Sequence, residues 1–166
     1  MTGAHATIPA LDAILKAHAA QTPHATALID PPDCARITGD GPRQFTWLEA
    51  EKATGAIAAR LREIGLAPGT VVGVQMPNVA AGILVLLAIM RAGMVAAPLP
   101  LLWRRADCVA ALSESGARAI VTCGRVAGFD HAQLALEIAA ELFPIRAVCG
   151  FHCAAADGIV PLDDLL

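Results

Sequence analysis

From Val79 to Met90 the chain runs VAAGILVLLAIM without a single charge, and the residues that follow decide what such a run can become. A membrane-spanning helix needs about 18 or more apolar residues in succession, and this run of 12 ends at Arg91. Ala92 and Gly93 close it, and MVAAPLPLLW follows, with prolines at 98 and 100. Two prolines so close break a helix but suit a buried strand entering a loop. The run therefore reads as a core helix, Val79 to Ala92, followed by a strand, Met94 to Leu99, and not as a membrane span.

The same helix, glycine and strand order recurs on both sides. Asn78 is placed to cap the apolar helix and Gly93 to end it in a left-handed turn. Upstream, Thr46 and Glu49 form a T-x-x-E capping box, and Ala50, Ala53, Ile57, Leu61 and Ile64 recur at steps of three and four. Gly65 ends that helix, Leu66 folds back on Leu61, and Thr70–Met76 reads as a buried strand. Downstream come a helix from about Ala106 to Ser115 and a strand Ala117–Thr122. A helix from about Asp130 to Leu142 and a strand Ile145–Cys149 follow. At the N-terminus, Thr7 and Pro9 open a helix that runs to about Gln21. Ala25–Ile29 reads as a strand, Pro31–Arg43 as a loop, and Phe45 as the start of a partner strand.

Strands that are apolar along their length and alternate with helices argue for an α/β fold. The expectation is one domain over residues 1–166: a parallel sheet of about four strands with helices on both faces, right-handed crossovers, and a short N-terminal helix and strand pair. With 56% hydrophobic and 16% charged residues, the chain has ample apolar surface to bury, which excludes disorder. A net charge of -3 with 12 scattered basic residues leaves no footprint for a nucleic-acid backbone. No basic residue precedes the first apolar stretch, so no secretory signal is read. The five cysteines, odd in number and irregular in spacing, read as reduced thiols. A cytoplasmic location follows as an expectation.

Open parallel sheets bind ligands at the carboxyl ends of their strands, yet no phosphate-cradling glycine fingerprint stands there. The nearest candidate, Gly124 to Gly128 (GRVAG), lacks the lysine and hydroxyl of a phosphate loop, and no nucleophile elbow occurs. In CGFHC, the types of Cys149, His152 and Cys153 are those zinc prefers, but no second ligand pair stands at a suitable spacing, and Cys149 falls on a buried strand. Arg104 and Arg105 open a helix whose dipole favours acidic residues, a conflict that solvation of exposed arginines relieves. His5, His18, His24 and His131 have no orienting acidic or nucleophilic neighbour and read as surface residues. No catalytic, cofactor-binding or metal-ligating residue is assigned.

Two stretches carry more than pattern. FTWLEAEKATGAIAARLREIGLAPGTVVGVQMPN, from Phe45 to Asn78, resembles the beginning of the AMP-forming acyl-CoA synthetase and ligase superfamily. Phe45, Thr46, Trp47, Gly65, Gly69, Val71, Pro77 and Asn78 fit that family's opening. In LAIMRAGMVAAPLPLLWRRADCVAALSESGARAIVT, Arg91, Ala92, Gly93, Pro98 and Leu99 match its L-K-A-G-x-x-x-x-P-L segment. Thr70 replaces the family's usual aspartate, and Arg104 stands where a Ser or Thr cap is common.

The resemblance implies the N-terminal piece of an enzyme that joins a carboxylic acid to CoA through an acyl-AMP intermediate, with ATP, Mg2+ and CoA used by the full-length parent. The family's phosphate loop, adenine-binding segment, ribose-binding aspartate and catalytic lysine have no counterpart here, and GIVPLDDLL resembles the linker before the phosphate loop. The resemblance thus implies a chain inactive alone, partnered by the rest of the parent ligase and prone to self-association through the exposed subdomain face. A stand-alone binding or assembly module with the same fold is the other reading.

Overall fold

The computed structural model describes residues 11–153 and 157–166. The expected opening of the first helix at Thr7 and Pro9, and His5, lie outside the described residues. The chain begins with α1 (Leu11–Gln21), β1 (Thr26–Ile29), α2 (Cys34–Thr38), β2 (Gln44–Thr46) and α3 (Trp47–Glu63). It continues through β3 (Val71–Val74), α4 (Ala80–Arg91), β4 (Val95–Pro98), α5 (Arg105–Glu114) and β5 (Ala119–Cys123). The last elements are β6 (Arg125–Val126), β7 (Phe129–Asp130), α6 (His131–Glu141), β8 (Ala147–Phe151) and β9 (Ile159–Pro161).

The centre is a five-stranded parallel sheet in the order β4-β3-β5-β8-β9. Sequence periodicity supplies four of these strands. The fifth, β9, is only Ile159–Pro161 and pairs with Val148–Gly150 at the sheet edge. Because successive strand residues point to opposite faces, each strand feeds two cores. Val72, Val74, Ala119, Val121, Cys149 and Phe151 meet buried residues of α1, α3 and α4 on one face. Ile120 and Val148 meet Cys108 and Leu112 of α5 and Leu134, Ala135 and Ile138 of α6 on the other. β1 and β2 form a separate antiparallel pair beside the α3 face.

The helix ends follow local chemistry in most places. Thr46 Oγ1 accepts from Glu49 N at 3.3 Å while Glu49 Oε2 accepts from Thr46 N at 2.8 Å, completing the capping box. Past α3, Gly65 has φ +87° and Leu66 N donates to Leu61 O, the closing bond of a Schellman turn. Two expectations need correction here. Asn78 does not cap α4. Val79 occupies the cap position, and Asp30 Oδ1 accepts from Ala80 N at 2.6 Å, so the cap comes from the end of β1. The expected loop Pro31–Arg43 contains the one-turn helix α2. GRVAG, already without the residues of a phosphate loop, forms part of a hairpin, β6 and β7 joined through Ala127 (φ +48°) and Gly128 (φ +85°), a pair of positive angles that suits a tight turn.

Candidate functional site

β3 leads into α4 on one face of the sheet, whereas its neighbour β5 leads through the hairpin to α6 on the other. Strands whose exits diverge leave a crevice at their carboxyl ends, where open α/β sheets usually bind ligands. In this chain Gln75 and His131 fill it. Both are buried, and His131 Nδ1 lies 3.2 Å from Gln75 Oε1. Gln75 Nε2 donates to Pro100 O at 3.0 Å and Trp103 O at 3.4 Å, and reaches Cys108 Sγ at 3.6 Å. Thr122 Oγ1 donates to His131 O at 3.4 Å, and Phe129 packs edge-on to the imidazole with centroids 4.9 Å apart.

His131 is therefore not the surface residue expected from sequence: it is 2% exposed. Its pKa is lowered, first by burial and second by Arg104, which together outweigh Asp130. The signal that could have found it is Asp130, whose Oδ1 accepts from Gln133 N at 3.0 Å as the cap of α6. That cap puts residue 131 in the first turn, over the ends of β3 and β5. Of the other histidines, His18 and His24 are exposed as expected, with His18 stacked on Trp47.

Arg104 and Arg105 divide. Arg104 is the residue before α5; its guanidinium lies 3.9 Å from the Phe129 ring centroid and donates to Leu101 O and Trp103 O. Arg105 pairs with Glu141 at the far end of α6. The expected dipole conflict is eased by Asp107 in the first turn of α5. Both arginines are thus engaged within the chain.

The CGFHC residues do not converge. Cys149 points into the core between the sheet and α3, and burial pushes its thiol up to about 12, so at neutral pH it is an apolar thiol and not a thiolate ligand. Cys153 is folded over Gly150, its thiol raised to about 11 by burial, then by Asp163 and Asp130. His152 turns outward with φ +52°, its Nδ1 2.9 Å from Asp40 Oδ2. Among the described residues, no group of three or more His, Cys, Asp or Glu is arranged to hold a metal ion.

GRVAG does not fit a phosphate group. Gly124 N donates to Phe151 O at 2.8 Å, Ala127 N to Ile37 O at 3.4 Å, and Arg125 reaches Asp130 at 3.3 Å, so the donors that would cradle an anion are engaged. Gly124 is glycine because a Cβ there would lie 2.0 Å from the His152 carbonyl oxygen.

Beside this filled crevice lies an open one. A groove of about 680 Å³ runs between the end of β1, the first turns of α4 and the segment leaving β4, lined by Ile29, Met76, Ile83, Leu86, Pro98 and Leu101 among others. Ile29 is 68% exposed at its rim and Ile83 46%. Among the described residues its lining is mostly apolar and holds no ionisable side chain.

A parallel sheet covered by helices on both faces defines an α/β domain. Residues 15–158 match the family model described as AMP-binding enzyme, and the chain belongs to that family. It is 39% identical over 81 residues to a naringenin synthase of Pestalotiopsis fici, a match covering 49% of this chain and 3% of that protein. It is 39% identical over 72 residues to the pseudomonine synthase PmsE of Pseudomonas entomophila, covering 43% of this chain and 12% of that one. In three dimensions it is similar to acetoacetyl-CoA synthetase from Streptomyces lividans, with a TM-score of 0.80 at 23% identity over 93% of this chain and 24% of the synthetase. The chain thus spans a quarter or less of the length of these relatives. Among the described residues, no helix is long and apolar enough to cross a membrane.

Proposed function

We propose that this chain is the N-terminal region of an ATP-dependent acid–CoA ligase, which converts a carboxylic acid, ATP and CoA into acyl-CoA, AMP and pyrophosphate. The observation that carries the reading is the family match across residues 15–158, taken with the small share of its longer relatives that this chain spans. The whole of 1–166 acts as one α/β domain, and ATP, Mg2+ and CoA belong to the full-length parent in the cytoplasm.

Alone, the chain has no ligase activity. Adenylation needs preorganised cations and amides around the transferring phosphates, and in the Gly124–Gly128 turn Gly124 N, Ala127 N and the Arg125 guanidinium are engaged within the chain. Its role is a platform. The rest of the parent chain, the three quarters of the synthetase that this domain does not cover, is the occupant for the apolar groove, because a soluble protein rarely leaves such a face bare.

The test is pyrophosphate exchange with the isolated chain across a panel of carboxylic acids, alongside the intact mass of the native protein. Exchange is expected to stay at background, and the native protein to be several times heavier than 17.1 kDa. Exchange above background would overturn the inactivity. A native product ending at Leu166 would favour the binding or assembly module.

A further inference from the structure

The chain has ten arginines, and among the described residues eight of them have a partner. Arg36, Arg60, Arg91, Arg105 and Arg125 pair with carboxylates, Arg62 donates to Arg91 O, Arg104 to Leu101 O, and Arg43 lies over the Phe45 ring. The guanidiniums of Arg118 and Arg146 meet no carboxylate, carbonyl or ring among the described residues, and these two stand next to one another. Residues 1–10 and 154–156 contain no Asp or Glu that could pair with them.

The sheet puts the two arginines together. Arg118 directly precedes β5, Arg146 directly precedes β8, and the two strands run in register from Ala119 and Ala147 onward. Arg146 N donates to Arg118 O at 2.7 Å and Arg118 N to Val71 O at 2.9 Å, which locks both backbones at the amino ends of β3, β5 and β8. Neighbouring strands lie about 4.8 Å apart and residues in register share a face, so the two cations leave the sheet side by side. Like charges directly opposite weaken a strand pair. Here they form a positive site whose counter-ion the chain does not provide.

This site is concave. Between the arginines and the turn after α3 lies a hollow of about 480 Å³, lined by Ile64, Leu66, Ala67 and Thr70 as well as by Arg118 and Arg146. The last carbonyls of α3 are taken up within that turn, Arg60 O by Ile64 N, Leu61 O by Leu66 N and Arg62 O by Gly65 N. Asp157 falls beside Arg146 when the register of β8 and β9 is extended, yet it is exposed and forms no ion pair with it. The bases of the cations are fixed, with Ala117 and Ala119 buried on either side of Arg118, so a ligand would have to order side chains only.

We propose that Arg118 and Arg146 bind the phosphate group of an organic phosphate monoester, whose organic part lies against Ile64, Leu66 and Ala67. Charge and shape select phosphate over carboxylate. A phosphate monoester carries about two negative charges at neutral pH and three terminal oxygens, enough to balance two cations and to occupy two planar forks. A carboxylate has one charge and two oxygens, which a single fork exhausts. Thr70 adds a hydroxyl to the same wall.

Calorimetric titration of the chain with phenyl phosphate, inorganic phosphate and benzoate at neutral pH tests the site, and none of these readouts requires ligase activity. Phenyl phosphate should bind with a Kd of about 1 mM or tighter, the other two several-fold more weakly. Raising the ionic strength from about 0.01 to 1 M, which shortens the screening length about tenfold, should weaken it. Arg118→Gln and Arg146→Gln should each lose about tenfold or more, and the double variant all measurable binding. Thr70→Asp keeps both arginines but sets a carboxylate in the hollow, and should lose binding too. Arg36→Gln, which removes an exposed arginine paired with Asp33, should bind like the unaltered chain. Far-UV circular dichroism on every variant should match the unaltered chain, because Arg118 and Arg146 are exposed. The site is overturned by no heat of binding at about ten millimolar phenyl phosphate, by binding that survives in the folded double variant or in Thr70→Asp, or by an equal loss in Arg36→Gln. Benzoate binding as tightly as phenyl phosphate would overturn the choice of phosphate, and inorganic phosphate binding as tightly would overturn the place given to the organic part.

Discussion

At the end of β1 one carboxylate joins two segments that sequence keeps far apart. Asp30 Oδ1 accepts from Ala80 N, and Oδ2 accepts from Arg43 N at 2.9 Å. Asp30→Ala would strand both amides, Ala80 N in a buried site, so the loss exceeds that of an ordinary exposed cap: about 2 to 3 kcal/mol, with Asp30→Asn about half as costly. Urea unfolding of the three proteins checks the ranking. Arg91 is a second such residue. Its guanidinium pairs with Asp12 of α1 and with Glu51 of α3 at 2.9 Å, fastening three helices at the end of α4, and its side chain is only 10% exposed. The two carboxylates are about a quarter exposed, so solvent screens them and Arg91→Ala should cost about 2 kcal/mol rather than the larger figure for a fully buried pair. Arg91→Lys keeps the charge but not the fork, and should lie between the two in a thermal melt.

Among the elements, the two edges of the sheet share a device. Val95 N and Leu99 N donate to Thr70 O and Val74 O, so Val95, Ala97 and Leu99 face β3 and the outward positions of β4 are Ala96 and Pro98. On the far edge Leu162 N donates to Gly150 O, which leaves Ile159 and Pro161 facing out, and Arg60 Nη1 takes up the Pro161 carbonyl at 3.2 Å. Each edge thus carries a proline where a donor would invite another strand. Pro98→Val restores that donor on an apolar edge, and should raise the apparent mass by light scattering at equal concentration; an unchanged mass would mean the proline serves only the exit from β4. These edges also mark where sequence reading stops. Helices of ten residues or more and apolar strands of four or five were legible from periodicity and caps, as at Thr46, Gly65 and Gly93. β9, the hairpin and α2 were not, because a strand of two or three residues, or a helix of little more than one turn, has too few positions to show its period and forms only on a partner already in place. The Asp30 cap and the His131–Gln75 pair were hidden for a related reason: each joins residues about fifty or more apart in the chain, and no local pattern encodes such a meeting.

For the whole molecule, two buried clusters close both faces of the sheet, but the end of the sheet beside β1 remains apolar and open. Ile29 and Ile83 stand exposed along it, while the sheet edges are guarded by prolines. Association of the isolated chain should therefore run through the groove and not by strand pairing. Burying an exposed isoleucine is worth about 1.5 to 3 kcal/mol, so a contact that covers Ile29 and Ile83 on two copies suffices for weak dimers at high protein concentration. Sedimentation equilibrium should show a mass that grows with concentration. Ile29→Lys with Ile83→Lys should return it to 17.1 kDa while leaving the melting temperature nearly unchanged, since both side chains are at the surface. A chain that stays monomeric at millimolar concentration would mean that the groove is too shallow to hold a copy of itself. Association that persists in the double lysine variant would instead move the contact to another face, such as the one bearing Phe143, which is 94% exposed beyond α6.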